Sequence, residues 1–526
     1  MKIYFLLSLI VYLYYIIFKS KKYLHMLQQN WYNDGNRYLK WILNNSIKTF
    51  LTIELFTLLF VIVPYKYVIS IFTIFYIIAY YVFKNRIGKE QSKKPLVITS
   101  RVKRLYVTVL ILYLLGIVPM IINYSEDNLN FYYLYLGLLA YINPFMIMVA
   151  NIINKPIEKI VFNHYKKLAK KKLYSMNNLI KIGITGSYGK TSTKNALNDI
   201  LNVKFNSFAT EKSFNTMNGL MISINNKLDK FSDVFIAEMG AFRQGEIKEK
   251  CDFIRPQYGI LTTVGTAHLE SFGSQENICK AKFELIESLP DNGIAILNMD
   301  DEYQVNYHIK SKCKKVWVSI GNKKADVCAS DIKLSSKGTK FTCTFKDTKE
   351  KIELETKLLG SANVYNILQA VALAYELGMT LEQIAIGVRK IAVIEHRLEL
   401  KKYGDINIID DAYNSNPVGS SMAVDVLGMM DGKKIIVTPG MIELGDKQYE
   451  YNMEFGRHIA KVCDEVILIG EEQTKPILDG LKKEKYSEEH IYILNDVKKA
   501  FPLIKKLSGK ITYALLENDL PDIFNE

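Results

Sequence analysis

Cysteine is scarce in this chain: six residues in 526, scattered from Cys251 to Cys463 without a single Cys-x-x-Cys pair. That excludes a disulfide framework and a zinc ribbon, and fits unpaired thiols in a reducing compartment. Acidic residues are also short, 54 against 68 lysines and arginines, leaving a formal charge of +14. No internal repeat and no low-complexity tract appears, which excludes a solenoid or a disordered scaffold. The N-terminus lacks a basic n-region of any size and a small-residue cleavage site, so its first apolar stretch reads as a helix rather than a signal peptide. The abundant residues are unevenly placed. The first 155 residues are dominated by Ile, Leu, Tyr, Phe and Val, and the remainder has the composition of a soluble α/β protein. Much of the basic excess lies in loops beside apolar runs, which favours a membrane surface over nucleic acid.

Five apolar stretches come first: Ile3–Phe18, Phe50–Val63, Tyr67–Phe83, Leu105–Ile122 and Leu129–Ile153. A spanning helix needs about 20 residues, so the first two are short and could also be tilted or interfacial. Lys19, Lys21, Lys22, Arg37, Lys40 and Lys48 follow the first stretch. Lys84, Arg86, Lys89, Lys93, Lys94, Arg101, Lys103 and Arg104 follow the third. The alternate connections are tiny, one of them acidic at Glu126-Asp127. The positive-inside rule then predicts an outside N-terminus, five crossings and a cytosolic C-terminal body. The expected organisation is a transmembrane domain of about five helices over 1–153, then a basic helical connector over 154–178. Glu54 falls inside the second stretch, either paired within the bundle or serving a function.

From Leu179 onward short β-rich runs alternate with helical stretches, the signature of a parallel sheet with crossover helices. The organising segment is Lys181–Ser192. The run Ile182–Ile184 reads as a buried strand, Gly186 and Gly189 break it, and Lys190-Thr191-Ser192 opens a helix. A strand, a glycine turn and a helix N-terminus make an anion cradle. Gly186, Ser187 and Gly189 would let the backbone approach phosphate, Lys190 would reach the outer phosphates, and Thr191 and Ser192 would follow, the Thr191 hydroxyl holding Mg²⁺. The general Walker spacing is absent, because Ile184 stands five positions before Gly189; what stands here is T-G-x-x-G-K-T. Glu238 ends a later strand beside glycine, a common place for a Mg²⁺ ligand or an ion pair. His268 follows the next strand, and Lys282 lies on the helix after it. Lys333–Thr356 reads as antiparallel strands. A second α/β unit begins after Arg397, with strands near Ile406–Ile409, Lys434–Val437 and Glu465–Ile469.

The ordered motifs TGSYGKTS, ATEKSFNTMNG, AEMG, VGTAHLESFGS, AKFELIESL, LNMDD, GSANVYNILQA, EHRLE and DDAYNSNP together resemble the Mur ligases, and within them the D-Ala-D-Ala-adding branch. The resemblance runs from about Leu179 to the C-terminus. It implies a P-loop central domain over 179–395 and a Rossmann-like C-terminal domain over 396–526. It further implies an ATP-dependent, ADP-forming amide ligase of peptidoglycan synthesis. A carboxylate resists attack by an amine because oxide is a poor leaving group, whereas an acyl phosphate releases phosphate readily. By the resemblance, Lys190 and Thr191 serve ATP and a first Mg²⁺, Glu238 serves a metal, and His268 binds a second Mg²⁺. Lys282 matches a lysine that relatives carbamoylate into a metal ligand. Asn363 and Asn366 match a pair near the adenine, with Ala362 where relatives usually have His. Arg397 reaches the nucleotide phosphates, Asp411 the ribose, and Tyr413, Asn414 and Asn416 line the same mouth.

The implied partners are an amino acid or dipeptide such as D-Ala-D-Ala, a UDP-linked or lipid-linked cell-envelope precursor, and membrane lipids. The apolar runs and the charge pattern predict the cell membrane as location, multi-pass, with the catalytic domains cytoplasmic. A ligase extending a poly-γ-glutamyl chain or decorating a surface glycan shares this chemistry. A membrane-bound P-loop transport ATPase or autokinase would need neither the Glu238–His268–Lys282 group nor the Asp410–Pro417 segment.

Overall fold

In the computed structural model, residues 1–89, 95–265, 269–335, 337–412, 415–442 and 444–518 are described. His268, Tyr413 and Asn414 lie outside them. The chain divides into two compact units, Met1–His164 and Tyr165–Glu526.

Among the described residues, three helices of the first unit are long and apolar enough to cross a bilayer: α1 (Lys2–Gln29), α2 (Tyr65–Lys89) and α3 (Ser100–Ile122). A fourth span is available if α4 (Leu129–Tyr141) and α5 (Asn143–Ser175) count as one broken by a 69° bend. The bend falls before Pro144, which has no N–H to donate and disfavours helical geometry at Asn143. The expectation of about five helices is corrected at the second apolar stretch. Its core, Ile53–Val61, is a nine-residue 3-10 helix, about 18 Å long at roughly 2.0 Å per residue and shorter than a hydrocarbon core.

Polar ties at both ends hold that segment stretched. Glu54 pairs with Lys19 and accepts from the Tyr15 hydroxyl. The Asn130 amide donates to the carbonyls of Phe60 (2.8 Å) and Val63 (2.7 Å). A Cβ on Gly137 would collide with Thr57, so glycine there permits the close approach. Side-chain partners fix the directions of the chain. Tyr12 lies beside Tyr76 and Phe18 beside Phe83, so α1 and α2 run parallel. Glu54 sits level with Lys19 and Phe60 level with Phe72, so the 3-10 segment runs the opposite way. Tyr113 meets Tyr12, and Tyr124, just past α3, meets Phe5, so α3 is antiparallel to α1. Tyr12 donates to the Leu136 carbonyl and Lys19 to that of Ala140, so α4 is parallel to α1. The four α-helices and the 3-10 segment between α1 and α2 therefore alternate in direction along the chain.

The second unit holds two sheets. The nine-stranded sheet comprises β1 (Ile180–Thr185), β2 (Ser207–Ala209), β3 (Val234–Glu238), β4 (Tyr258–Leu261), β5 (Ile294–Asn298), β6 (Lys314–Ile320), β7 (Val327–Ser335), β8 (Gly338–Phe345) and β9 (Lys351–Thr356), in the order 2-3-1-4-5-6-7-8-9. Strands β1 to β7 pair parallel, and β7–β8–β9 pair antiparallel as expected from the sequence. Strand order reverses at β1, the switch point where parallel sheets open a crevice at their carboxyl ends. Ile182, Ile184, Ile236 and Ile260 pack with Leu197 and Ile200 of α6 (Lys190–Leu201) and with Ile367 and Val371 further on. Burying each such aliphatic side chain contributes about 1.5–3 kcal/mol. The six-stranded sheet comprises β10 (Glu399–Tyr403), β11 (Ile406–Asp411), β12 (Lys433–Thr438), β13 (Glu465–Ile469), β14 (Ile491–Leu494) and β15 (Thr512–Glu517), in the order 10-11-15-12-13-14. Only β10 runs antiparallel to its neighbour.

Candidate functional site

The loop between β1 and α6 sits at the carboxyl end of the switch-point strand. Gly186 (φ +149°) and Gly189 (φ +80°) take backbone conformations that side chains resist. A Cβ on Gly186 would strike Thr262, and one on Gly189 would strike the Asn366 amide oxygen. The loop is braced by the segment after β4. The Ser187 N–H donates to the Thr263 carbonyl at 2.6 Å, and the Ser187 hydroxyl donates to that of Gly265 at 3.1 Å. Thr262 donates from its hydroxyl to the Tyr188 carbonyl at 2.5 Å. The Lys190 ammonium donates to the carbonyls of Gly186 (2.8 Å) and Ser187 (2.9 Å). Burial, and after it the Arg397 charge, pulls the Lys190 pKa down to about 8, against the opposing pull of Glu238.

Thr191 and Glu238 meet behind the loop. The Thr191 hydroxyl donates to Glu238 Oε1 at 3.1 Å, and both side chains are buried. Ser192 is buried beside them on α6. Two further residues complete the Glu238 environment. The Asn215 amide donates to Oε1 at 3.1 Å, and the Lys194 ammonium lies 3.2 Å from Oε2 while donating to the Lys212 carbonyl. Sequence reading assigned neither residue. The available signal for Lys194 was its place one turn after Lys190, among the apolar positions of α6.

Lys282 lies on α8 (Gln275–Glu287) and is almost completely buried. Among the described residues no carboxylate pairs with its ammonium, which lies 5.4 Å from the centre of the Phe272 ring. Burial, then the charges of Lys190 and Lys250, lowers its pKa to about 7. A substantial share of neutral amine near neutral pH follows.

Asn363 and Asn366 sit on α9 (Ser361–Glu376). Asn366 accepts from the Thr193 hydroxyl (3.1 Å) and donates to Asn363, which donates to the Leu359 carbonyl. Here the pair fastens α9 to the phosphate-loop helix.

Arg397 reaches across from the segment joining the two sheets, its guanidinium 3.5 Å from the Thr191 hydroxyl. Its neighbours His396 (φ +60°) and Leu398 (φ +49°) are both left-handed, a strain of about 1–3 kcal/mol each. Two aspartates at the end of β11 hold that geometry. Asp410 bonds His396 Nδ1 at 2.8 Å, and Asp411 accepts from the Leu398 N–H at 3.1 Å. Asp411, expected at a ribose, here anchors the arginine arm. Burial and the neighbouring Glu517 raise its pKa to about 7. Asn416 caps α10 (Pro417–Gly428) by accepting from the Gly419 N–H at 2.9 Å.

The arrangement therefore combines a glycine-framed anion cradle, a buried hydroxyl–carboxylate pair, a buried lysine of lowered pKa, and an arginine from the following domain. Residues 184–374 match the family model for the Mur ligase middle domain, and residues 396–513 that for the Mur ligase, glutamate ligase domain. The UDP-N-acetylmuramoyl-tripeptide–D-alanyl-D-alanine ligase of Escherichia coli is 32% identical over 294 residues, 55% of this chain and 64% of that protein. That of Buchnera aphidicola subsp. Acyrthosiphon pisum is 31% identical over 335 residues, 62% of this chain and 73% of its own length. The chain thus spans under two thirds of the Escherichia coli relative. Among solved structures, MurF from Acinetobacter baumannii superposes with a TM-score of 0.62 at 26% identity, covering 68% of this chain and 77% of that one. MurF ligase from Thermotoga maritima in complex with ADP gives 0.61 at 25% identity, covering 68% and 80%.

Proposed function

Since this chain belongs to the Mur ligase family, we propose that it is an ATP-dependent amide ligase anchored in the cell membrane with its catalytic domains on the cytoplasmic side. It adds an amino acid or dipeptide, D-Ala-D-Ala by likeness to its relatives, to a cell-envelope precursor. The observation that carries this reading is Arg397 of the C-terminal region bonding Thr191 of the phosphate loop, so that both domains contribute to one rim.

The donors present suit Mg²⁺, a hard cation that takes oxygen ligands: the Thr191 hydroxyl and the Glu238 carboxylate are paired at the carboxyl end of β3. Mg²⁺ bound there would neutralise phosphate charge. Lys190 would turn from its loop carbonyls to the transferred phosphoryl group, and Arg397 would add charge from the opposite side. Asn215 and Lys194 hold the Glu238 carboxylate in place. The acceptor carboxylate, once phosphorylated, loses phosphate as the amine attacks.

Lys282 supplies a direct check. Its amine adds to CO₂, forming an N–C bond and releasing a proton, to give a carbamate that serves as a carboxylate ligand. Lys282→Ala is expected to lose ligation and to regain part of it with a small added carboxylate such as formate. Near-normal activity of the unsupplemented variant would show that Lys282 is only a buried helix lysine.

The acceptor is proposed to be lipid-linked. Basic segments flank the apolar helices, and each Lys or Arg close to an anionic leaflet contributes about 1 kcal/mol of attraction. The test supplies purified full-length protein in detergent with ATP, D-Ala-D-Ala and matched UDP-linked and lipid-linked acceptors. ADP release that requires both acceptor and amine, and favours the lipid-linked acceptor, is the expected result. Equal or better use of the soluble acceptor would remove the lipid-linked reading, and ADP release without any acceptor would favour a transport ATPase.

A further inference from the structure

We infer that one face of the second unit, formed by the end of α5, the outer side of α7 (Met217–Asn226) and the loop after it, docks on an anionic phospholipid leaflet. It rests on the reading that the first unit spans a bilayer. Asn225 ties the two helices together. Its amide donates to the Tyr165 carbonyl (3.1 Å), and its own carbonyl accepts from Lys172 (3.4 Å). Ala169 and Leu173 turn inward and are buried. The outer side carries large apolar groups in water: Leu168, Ile222 and, in the loop, Phe231, which is 71% exposed.

Lysines surround these groups. Lys167, Lys170 and Lys171 on α5, and Lys227 and Lys230 beside α7, are all exposed. The Lys230 ammonium lies 4.7 Å from the centre of the Phe231 ring, an amphipathic pair with its charge beside the wedge. The acidic groups nearby are engaged: Glu211 faces Lys227, Glu249 pairs with Lys166 of α5 at 2.8 Å, and Asp229 accepts from the Phe231 N–H. An exposed aromatic at a loop tip beside a lysine, with further exposed lysines on the same face, matches the interfacial zone of an anionic membrane, where apolar groups sink below the head groups and lysines meet phosphate. A protein partner of acidic surface would use the lysines but has no need of Phe231. The same α5 begins in the apolar first unit, so chain continuity tethers this face to the segment read as membrane-spanning.

The experiment places a nitroxide label on Phe231→Cys in the full chain, and separately on Ile222→Cys and Ile74→Cys, in lipid nanodiscs. The native cysteines are all buried, which leaves the introduced thiol as the reactive one. In discs containing phosphatidylglycerol, labels at 231 and 222 should be reached by oxygen more readily than by a water-soluble nickel chelate. With Lys167→Gln and Lys171→Gln added, the odds of lipid contact should fall, by about fivefold for each lysine. Labels at 231 and 222 that read as aqueous, while the label at 74 reports acyl chains, overturn the docking face and leave the spanning reading intact. An aqueous label at 74 overturns both. Equal immersion in neutral and anionic discs overturns the anionic choice.

Discussion

Lys190→Ala should abolish ATP-dependent ligation while leaving the fold in place. The lysine is the cation nearest the phosphate cradle, and its two hydrogen bonds go only to carbonyls of its own loop. Loss of charge compensation at a transferred phosphoryl group costs several kcal/mol of barrier, so a rate loss of about a thousandfold or more is expected. The measurement is acceptor- and amine-dependent ADP release, run beside a thermal melt. Activity within about tenfold of wild type would refute the assignment. The lowered pKa adds a sign: nucleotide affinity should weaken as pH rises above about 8, because deprotonation removes the charge that phosphate needs.

The second large effect lies in the first unit. Lys19→Met leaves the Glu54 carboxylate, on a side chain only 1% exposed, buried without its counter-ion. Breaking one side of a buried pair costs about 3–5 kcal/mol, whereas replacing both sides is often neutral. The single variant should therefore unfold far earlier in a detergent melt, and Lys19→Met with Glu54→Gln should recover most of the loss. Wild-type stability of the single variant would mean that Glu54 finds another partner. No change between single and double variants would place the loss elsewhere in the packing.

Local chemistry was the legible part of this sequence. Gly186, Gly189 and Lys190 announce a phosphate loop because only glycine tolerates those φ values, and the helix after it begins where the spacing says. The antiparallel strands after Lys333 were equally plain, since turn residues and β-rich runs act over short range. The roles of Lys194 and Asn215 were hidden because both depend on a contact across 20 or more residues that periodicity does not encode. Asn363, Asn366 and Asn416 show the reverse difficulty. Their resemblance to nucleotide contacts was visible, but the bonds that fasten α9 to α6 and cap α10 appear only in three dimensions. The second apolar stretch misled for a similar reason. Composition measured its hydrophobicity, but its 3-10 geometry depends on Lys19 at one end and Asn130 at the other.

That last segment also sets an order of events during synthesis. Alone, Ile53–Val61 is too short to be held in a bilayer, and an unpaired carboxylate such as that of Glu54 is costly there. Its counter-ion on α1 emerges from the ribosome earlier, but the amide that satisfies its free carbonyls, Asn130, and the glycine it packs on, Gly137, emerge later. At about 5–20 residues per second, some 70–80 further residues take roughly 4–16 s. In a bilayer, the half-built bundle would expose the unpaired carbonyls of this 3-10 segment throughout that interval, so its maturation would depend on how quickly α4 arrives rather than on how strongly each helix inserts.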